Sequence, residues 1–459
     1  MNSKKTILIT VFHSFISKNI LDTDVFKDLR QSDLNILLVV PNPKKNFYEM
    51  TYGGDNVCVI GINSTKLLNS KKTKFFSRLA YLLQFSHYLN YKKIERKNAK
   101  GNKIIKSIRY CFEVLATGLL AGKRPVRFLM RYFFMLGQSQ KEIIGLFQSS
   151  SPAIVFSTDI FDESDVLIAR EAKKRGIPTV GMIRSWDNCY SKGIMRVVPD
   201  WLIVNNETLK EEVVCMHDVN PQDVFIAGLP QFDRFVNEPR STRQEFCQKV
   251  GLDANRPFVV IAPAGKILSD TDWQIADMLK RAKIDGRLPK IQFLIRNHPN
   301  HPADFFNFEN DLDFVIENPG KVFNQNNPKE TELTSLDSKH LADTLYHSSL
   351  LIYTATTLGL DALVFNKPQI IIDFDGYEKK DYWHSVSRYH DEEHMKKMIA
   401  CGGVRVVSSE SELVGTVREY LSDPNLDQMG RNKMLRQQLF KLDGQSGKRI
   451  VNFIKKKTR

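Results

Sequence analysis

Short apolar runs bounded by turn-forming residues recur along the chain, and stretches of helical period separate several of them. This alternation predicts parallel strands joined by helices, and therefore an α/β fold. The strands predicted in the first half are Ile7 to Val11, Asn35 to Val40, Val57 to Ile60, Ala153 to Ser157, Thr179 to Ile183, Trp201 to Val204 and Val224 to Ala227. Those predicted in the second half are Phe258 to Ala262, Ile291 to Ile295, Leu350 to Tyr353, Gln369 to Ile372 and Val404 to Val407.

The two groups of strands are separated by the turn-rich sequence Glu238-Pro239-Arg240-Ser241-Thr242, which precedes a predicted helix, Arg243 to Val250. We therefore predict an N-terminal Rossmann-like domain of residues 1–238 and a C-terminal one of residues 239–446. Residues 447–459 are predicted to contain a closing helix, and the polar, aperiodic segment Asn324 to Leu336 is predicted to be a loop.

Length and composition exclude several classes of protein. The 459 residues exceed what a single core usually supports, and an apolar content of 42% is ordinary for a soluble globular protein. The six cysteines lie far apart without a Cys-x-x-Cys pair, which argues against a disulfide framework and a zinc cluster. The first apolar run, Ile7 to Val11, is too short for a signal peptide or a membrane span, so we expect a cytoplasmic protein.

The positive charge is concentrated in residues 71–131, which hold 16 Lys and Arg against two acids and so account for the whole net charge of +14. The same segment is apolar at roughly helical spacing. We predict a basic, apolar helical insertion that binds an anionic membrane surface, because basic side chains and inserted apolar residues both favour such a surface. Nucleic acid is a competing partner that we do not expect, and a solvated basic loop between core helices is the simplest alternative.

Two polar blocks follow predicted strands in the first half. The first is Arg184-Ser185-Trp186-Asp187-Asn188 with Ser191-Lys192-Gly193, and the second is Gly228-Leu229-Pro230-Gln231-Phe232-Asp233. Polar residues at the carboxyl ends of strands in an open α/β sheet face the ligand crevice. Both blocks therefore predict a site for a sugar or phosphate ligand.

A donor site is predicted in the second half. The strand Leu350 to Tyr353 runs into Thr354-Ala355-Thr356-Thr357-Leu358-Gly359 and then into a helix predicted from about Leu360. Hydroxyls and free backbone N–H groups at a helix start can hold a diphosphate. Thr356 and Thr357 are the candidates, and their alternative is a plain N-cap.

Three further residues are assigned to the donor site. Arg296 and His298 follow the strand Ile291 to Ile295, where an arginine can pair with phosphate oxygens and a histidine can donate a proton or hydrogen bond to a departing phosphate. Asp361 can accept hydrogen bonds from ribose hydroxyls, and its alternative is a carboxylate placed to interact with the helix dipole.

These motifs resemble a known family. Arg296-Asn297-His298-Pro299, Leu341-Ala342-Asp343 at a predicted helix start, Thr354 to Asp361 and Asn366-Lys367-Pro368 resemble the C-terminal half of GT-B glycosyltransferases, nearest to enzymes like CDP-glycerol glycerophosphotransferase and surface-polysaccharide enzymes. The resemblance extends over the Ser-Trp-Asp-Asn and Gly-Leu-Pro-Gln-Phe-Asp blocks, about two thirds of the chain. It implies two Rossmann-like domains with a cleft between them, and a closing helix that crosses back to the first domain.

The resemblance also implies a function. It suggests a peripheral membrane transferase that moves a glycosyl or polyol-phosphate group from a CDP- or UDP-linked donor to a glycan or lipid-linked acceptor, without a cofactor or metal. Similar transferases take the base that deprotonates the acceptor from the N-terminal domain, where Asp187 and His13 compete for that role. The alternatives are a loop-capping carboxylate for Asp187 and a structural histidine for His13. The residues expected to contact the acceptor or line the cleft are Trp186, Asn188, Lys192, Gln231 and Asp233.

Three motif-like sequences are rejected. Asp373-Phe374-Asp375 spells the Asp-x-Asp of metal-dependent GT-A transferases within the wrong two-domain pattern. His390-Asp391-Glu392-Glu393-His394 has Asp where a zinc protease needs Glu, and Gly444 to Arg449 lacks the spacing and strand of a P-loop.

Two other functions remain open. A non-hydrolysing UDP-N-acetylglucosamine 2-epimerase has the same two-domain fold but has no use for a basic, apolar segment. A non-catalytic scaffold that binds membrane or RNA would keep the fold without turnover, since fold does not imply function.

Overall fold

The computed structural model describes residues 4–13, 15–266, 268–322 and 331–458. The chain forms two compact units, which we call the first unit, Met1–Gln231 with Gln445–Arg459, and the second unit, Phe232–Gly444. Each unit contains one parallel sheet with helices, of seven and six strands respectively. The predicted α/β class with two Rossmann-like domains is confirmed.

The first sheet has the strand order β3-β2-β1-β4-β5-β6-β7, and all neighbouring strands run parallel. Its strands are β1 Thr6–Thr10, β2 Asn35–Pro41, β3 Val57–Ile62, β4 Ile154–Ser157, β5 Thr179–Met182, β6 Trp201–Val204 and β7 Val224–Ile226. Alternate residues of β1 pack into different cores: Leu8 lies in one, and Ile7 and Ile9 lie in the other. Burial on both faces explains why these strands read as continuous apolar runs.

The helices of the first unit that precede β7 lie between these strands. They are α1 Asp24–Arg30, α2 Lys45–Tyr52, α3 Ser64–Leu68, α4 Lys71–Leu82, α5 His87–Asn98, α6 Lys103–Leu120, α7 Arg124–Leu136, α8 Lys141–Ser150, α9 Glu163–Lys174, α10 Asn188–Ser191 and α11 Glu207–His217. Helix α12, Pro230–Asn237, contains the point where the first unit ends. Helices α4 to α7 make up the basic segment of residues 71–131. None of the helices in the described part of the chain has the length and apolar content needed to cross a bilayer.

The last helix, α20 Ser446–Thr458, belongs to the first unit. Ile450, Val451 and Ile454 are buried in the same core as Ile7 of the central strand. The ring of Phe453 stacks on Phe225 with centroids 4.4 Å apart. The core of the first unit is therefore completed by residues from the far end of the chain.

The second sheet has the order β10-β9-β8-β13-β14-β15 and is also entirely parallel. Its strands are β8 Phe258–Ala262, β9 Gln292–Arg296, β10 Phe314–Glu317, β13 Leu350–Tyr353, β14 Gln369–Ile372 and β15 Arg405–Val407. The helices of this unit are α13 Arg243–Val250, α14 Asp272–Ile284, α15 Ser335–His347, α16 Leu358–Val364, α17 Glu393–Ile399, α18 Glu410–Ser422 and α19 Gln428–Leu439.

The loop predicted for Asn324 to Leu336 falls on residues up to 330 that lie outside the described part of the chain, and it is wrong for the remainder. Strand β12, Thr331–Glu332, pairs antiparallel with β11, Lys321–Val322. Helix α15 then begins at Ser335, because Thr334 and Asp337 form a reciprocal capping box.

The same cap corrects a second prediction. Leu341, Ala342 and Asp343 do not open a helix but lie in the middle of α15. The carboxylate of Asp343 accepts a hydrogen bond from the hydroxyl of Ser241 at 2.9 Å. This part of the motif therefore has a packing role within the second unit.

Candidate functional site

The carboxyl end of the first sheet places the loops after β1 and β4 next to each other. The strand order reverses direction at this point, and ligands of open α/β sheets bind at such a switch. The hydroxyl of Thr158 donates to the carbonyl of Thr10 at 2.7 Å, and the amide of Thr158 donates to the hydroxyl of Thr10 at 3.1 Å. These bonds fix the start of both loops, which carry His13 and Asp159.

Asp187 lies at the turn after β5, just before the single-turn helix α10. Its carboxylate accepts hydrogen bonds from the hydroxyls of Ser185 and, at 2.7 Å, Ser191. Its side chain does not cap α10. The two hydroxyl donors hold the carboxylate in place and, because they are neutral, do not neutralise its charge. An ionised carboxylate has about four acceptor positions. The carboxylate of Asp187 is therefore held in a fixed position at this edge.

His13 lies near the same carboxylate. Its Nδ1 accepts a hydrogen bond from the amide of Phe15 at 3.2 Å, so the neutral ring carries its proton on Nε2. Burial, above all, lowers the pKa of His13 to about 2, and the positive charges of Arg184, Lys192 and Lys44 lower it further against the opposing effect of Asp187. His13 is therefore a hydrogen-bond donor surrounded by cations.

Two buried carboxyl groups, Asp159 and Asp165, form an ion pair and hydrogen bonds at this edge. Asp159 pairs with Arg184 at 2.8 Å. Asp165 is fully buried, accepts from the hydroxyls of Thr10 and Ser157, and has an Oδ2 atom with no hydrogen-bond partner among the described residues. Burial and the charge of Asp162 raise its pKa well above the usual value. A protonated Asp165 fits this position because it adds no negative charge beside the ion pair.

The predicted acceptor residues separate into two groups. Lys192 contributes to the field on His13, while Trp186 is buried and Asn188, fully buried, closes the turn by accepting from the amide of Ser185 at 2.7 Å. Gln231 follows β7, four strands from β1, which is a lateral distance of about 19 Å. Asp233 is buried and belongs to the second unit. Gln231 therefore lies away from the part of the first sheet's edge that holds His13, and the role of Asp233 stays a prediction.

In the second sheet the strand order reverses between β8 and β13. The residues Thr354 to Thr357 connect β13 to α16, which begins at Leu358 rather than at Leu360. The hydroxyl oxygen of Thr356 accepts from the amide of Leu358 at 3.3 Å, and Thr357 is exposed. Because α16 has only seven residues, this loop offers hydroxyls and backbone amides more than a strong helix dipole.

The loops after β8 and β9 close tightly around the same edge. Gly265 has a φ of +85°, and a Cβ atom there would lie 2.2 Å from the carbonyl oxygen of His301. The carboxylate of Asp272 accepts from the amides of Ala264 and Gly265 at 3.1 and 2.9 Å. Only glycine fits this contact.

Arg296 is the last residue of β9, and its guanidinium is already paired. Its Nη1 lies 2.9 Å from Oε2 of Glu317, whose other oxygen lies 2.5 Å from Nε2 of His340. Burial alone would raise the pKa of Glu317, but the bonds to His340 and Arg296 outweigh it, and the pKa lies below the usual value. This triad joins the ends of two neighbouring strands to α15.

His298 lies two residues after Arg296, in the loop that follows β9. Its Nδ1 accepts from the amide of Asn300 at 3.1 Å, and its ring stacks on His301 with centroids 5.3 Å apart. Burial and the charge of His301 lower the pKa of His298 to about 4. The neutral ring therefore offers its Nε2–H as a donor.

A residue pair that the sequence did not indicate lies at the end of β14. Nδ1 of His390 lies 2.8 Å from Oδ1 of Asp373, and Nε2 of His390 is buried with no hydrogen-bond partner in the described part of the chain. A carboxylate can only accept, so the ring proton sits on Nδ1 and Nε2 is a bare acceptor. The separation of 17 positions along the chain hid the pair. The one available signal was that Asp373 directly follows a strand.

Two other candidates are buried in the same unit. Asp361 is only 3% exposed, so little of its carboxylate faces solvent, and its contact with a ribose stays a prediction. Asp375 accepts from the amides of Val386 and Lys380, and thereby folds the loop after β14. Within the described residues, no three His, Cys, Asp or Glu side chains come together as a metal-binding group.

Comparison with known proteins gives one family and several similar folds. Residues 190–456, more than half of the chain, match the family described as CDP-Glycerol:Poly(glycerophosphate) glycerophosphotransferase. No curated protein sequence matches the chain.

Three solved structures illustrate the likeness in fold. S. aureus MnaA with UDP has a TM-score of 0.56 and 11% identity, covering 98% of this chain and 96% of that one. UDP-GlcNAc 2-epimerase from Neisseria meningitidis bound to UDP-GlcNAc has a TM-score of 0.55 and 10% identity, covering 98% and 100%. The glycotransferase of kitacinnamycin has a TM-score of 0.51 and 10% identity, covering 98% of each chain. At such identities the likeness concerns the fold alone.

Proposed function

Because the chain belongs to the CDP-glycerol:poly(glycerophosphate) glycerophosphotransferase family, we propose that it transfers a polyol phosphate from a cytidine-diphosphate-linked donor to a lipid-linked or surface-glycan acceptor at the membrane. The chain is a transferase of the GT-B type that uses a nucleotide donor. The family match carries the proposal, since it spans nearly the whole second unit with its hydroxyl-rich loop.

The donor is assigned to the carboxyl end of the second sheet. Thr356, Thr357 and the neighbouring amides would hold the diphosphate, and His298 would donate its Nε2–H to the phosphate of the leaving nucleotide. The bare Nε2 of His390 is an acceptor suited to a ribose hydroxyl. A direct phosphate contact from Arg296 stays a prediction, because its guanidinium would first have to leave Glu317.

The acceptor is assigned to the carboxyl end of the first sheet. Arg184, Lys192 and Lys44 provide positive charge around His13, which fits an acceptor that itself carries phosphate. We assign the general base to Asp187, because a ring with the low pKa of His13 and its proton on Nε2 is a poor proton acceptor. His13 would instead donate a hydrogen bond to a phosphate oxygen.

The reaction is a displacement at phosphorus. The acceptor hydroxyl oxygen attacks the phosphorus that carries the polyol, and a new P–O bond forms. The bridging P–O bond to the nucleotide breaks, and its electron pair leaves with the nucleoside monophosphate. The hydroxyl proton passes to Asp187. Fixed dipoles and cations stabilise the charge on the phosphoryl oxygens.

Membrane association is assigned to the helices of residues 71–131. Along α6, Ile104, Ile108, Phe112, Leu115 and Leu119 recur at helical spacing, and each is at least 56% exposed. Along α7, Phe128, Tyr132, Phe133 and Leu136 are likewise exposed. Exposed apolar stripes among many Lys and Arg are typical of helices that lie in an anionic membrane interface.

The nucleotide product tests this proposal. Purified protein is incubated with CDP-glycerol or UDP-N-acetylglucosamine and an acceptor in anionic vesicles, and the products are separated by chromatography. Release of CMP supports polyol-phosphate transfer, whereas release of UDP or CDP would indicate glycosyl transfer. Conversion of the UDP-sugar to its 2-epimer without release would favour an epimerase, the alternative that the similar folds suggest.

Binding is measured separately by thermal shift with CDP, CMP, UDP and GDP. A ligand at 100 times its Kd stabilises the native state by about 2.7 kcal/mol. We expect cytidine nucleotides to raise the Tm, and Thr357→Val to reduce the shift, with Thr416→Val elsewhere in the second unit as the control. If no nucleotide shifts the Tm, a non-catalytic scaffold becomes the better interpretation.

A further inference from the structure

A buried carboxylate in the membrane-facing helices is surrounded by more positive charge than it can neutralise. Glu113 of α6 is 1% exposed. It accepts from Arg78 of α4 at 2.7 Å, Arg96 of α5 at 3.0 Å and Arg109 of α6 at 3.0 Å. Three guanidinium groups on one carboxylate leave an excess of two positive charges.

The ammonium group of Lys93 adds a further positive charge to this excess. Lys93 is 5% exposed, and its Nζ donates to the hydroxyl of Thr117 at 2.7 Å rather than to a carboxylate. Burial, above all, and the charge of Arg96 lower the pKa of Lys93, against the opposing effect of Glu113. The negative charge of an anion bound nearby would favour the charged ammonium group and so offset the effects of burial and of Arg96.

These groups surround a cavity of about 290 Å³ that is lined by Arg78, Tyr81, Leu82, Tyr88, Leu89, Lys92, Lys93, Arg96 and the two carboxylates Glu95 and Glu113. Glu95 pairs with Lys92 at 2.7 Å, so the excess charge comes from the arginines and Lys93. Nε of Arg96 is buried and has no hydrogen-bond partner among the described residues. A buried N–H group without an acceptor costs free energy. Arginine offers parallel N–H groups that match the oxygens of a phosphate.

Helix α6 connects this cavity to the exposed apolar stripe. Glu113 and Thr117, one helical turn apart, lie on the buried side of α6, while Ile108, Phe112 and Leu115 lie on its exposed side. A lipid whose acyl chains lie beside that stripe would have its headgroup at the level of the cavity. The tyrosines at the cavity suit such an interface, because each has an apolar ring and a polar hydroxyl.

We propose that this cavity binds the phosphate of an anionic glycerophospholipid headgroup. The inference rests on the membrane association proposed above and adds a discrete headgroup site to it. A free phosphate ester offers the same phosphate oxygens to the cavity as a lipid headgroup. The two ligands differ because the neighbouring apolar stripe adds affinity only for the lipid.

Matched charge variants test the proposal with the full-length protein. Sedimentation with vesicles of 30 mol% dioleoylphosphatidylglycerol in dioleoylphosphatidylcholine is measured for wild type, Arg96→Gln and Lys92→Gln. The controls Lys100→Gln and Lys103→Gln remove the same charge from exposed positions of the same segment. A diffuse surface field predicts about a fivefold loss for every variant, as for any basic residue near an anionic surface.

A headgroup site predicts that Arg96→Gln and Lys92→Gln each lose more than about tenfold, in excess of both controls. Lys92 does not contact Glu113, so its variant covers the case in which Arg96→Gln fails to fold, which the Tm reveals. Equal losses in all four variants would overturn the site while leaving membrane association intact. Failure of the wild type to bind any vesicle would instead refute the membrane association on which the site rests.

The source of the phosphate is tested with soluble probes. Monomeric dihexanoylphosphatidylglycerol and glycerol phosphate are titrated by calorimetry into wild type and Arg96→Gln. The lipid should bind more tightly than glycerol phosphate, and Arg96→Gln should weaken it. Equal affinity for the two probes would overturn the assignment to a lipid and identify a free phosphate ester.

Discussion

The carboxyl ends of the two sheets are built on the same strand reversal but differ in how their charges are used. At the first sheet, three cations act on the uncharged ring of His13, and the hydroxyls of Ser185 and Ser191 donate to Asp187. At the second sheet, the charge of Arg296 is matched by Glu317. An edge where several cations and a carboxylate surround a neutral ring is suited to an anionic, reacting ligand, whereas an edge of paired charges and hydroxyls is suited to holding and orienting one. The same topology thus supports two chemical tasks.

The largest effect is expected from removing the proposed base. Asp187→Asn keeps the shape but removes the negative charge, and one of the two serine hydroxyls must then accept from the new NH2 group instead of donating. We expect kcat to fall roughly 10²- to 10⁴-fold, as is usual when a general base is lost. Turnover is measured by CMP release, with Glu211→Gln, an exposed carboxylate of the same unit, as the control. Retention of near wild-type kcat would move the base elsewhere and break the comparison.

The second effect concerns stability rather than donor binding. Arg296→Met would leave the buried carboxylate of Glu317 without its arginine, which costs about 3 kcal/mol of unfolding free energy. The double variant Arg296→Met with Glu317→Gln should recover much of that loss. Both are measured by urea unfolding. If Arg296→Met is stable but loses donor affinity, the guanidinium serves the ligand, and the contrast between the two edges disappears.

A smaller effect is expected at the pair of His390 and Asp373, which the sequence did not indicate. His390→Asn removes the bare Nε2 acceptor, and we expect the donor KM to rise about tenfold, or about 1.4 kcal/mol, with a lesser change in kcat. His384→Gln, an exposed histidine of the same unit, is the control. An unchanged KM together with a lowered Tm would show that the pair with Asp373 is structural.

The smallest effect is a change in the pH dependence of stability. The pKa of His13 is lowered from 6.5 to about 2, so below pH 6.5 the unfolded chain takes up a proton that the folded protein does not. Stability should therefore fall as the pH drops from 6.5 towards 2. His13→Gln should make the Tm less dependent on pH between 6.5 and 4, as measured by calorimetry. An unaltered slope would mean that burial and the neighbouring cations do not lower the pKa of His13.

Most strands of the two sheets were predictable because their residues are buried on both faces, so the local apolar runs carry the signal. The edge strand β10, in which only Phe314 is fully buried, was not predicted. Helix starts were less accessible: α15 begins at Ser335 because of a cap that the apolar pattern does not reveal. The chemistry of the site depended on distant pairs. Neither the partner of Arg296, 21 residues away, nor that of Asp373, 17 residues away, follows from local spacing. The position of Asp187 was predictable because it follows a strand, whereas its hydroxyl partners were not.

The placement of α20 has a consequence for how the molecule is made during translation. Ile450, Val451 and Ile454 fill the core of the first unit, although they are synthesised after the whole of the second unit. The second unit is one continuous stretch and can fold as it leaves the ribosome, while the earlier half waits with part of its core exposed. The first unit can therefore complete its core only after α20 has emerged from the ribosome.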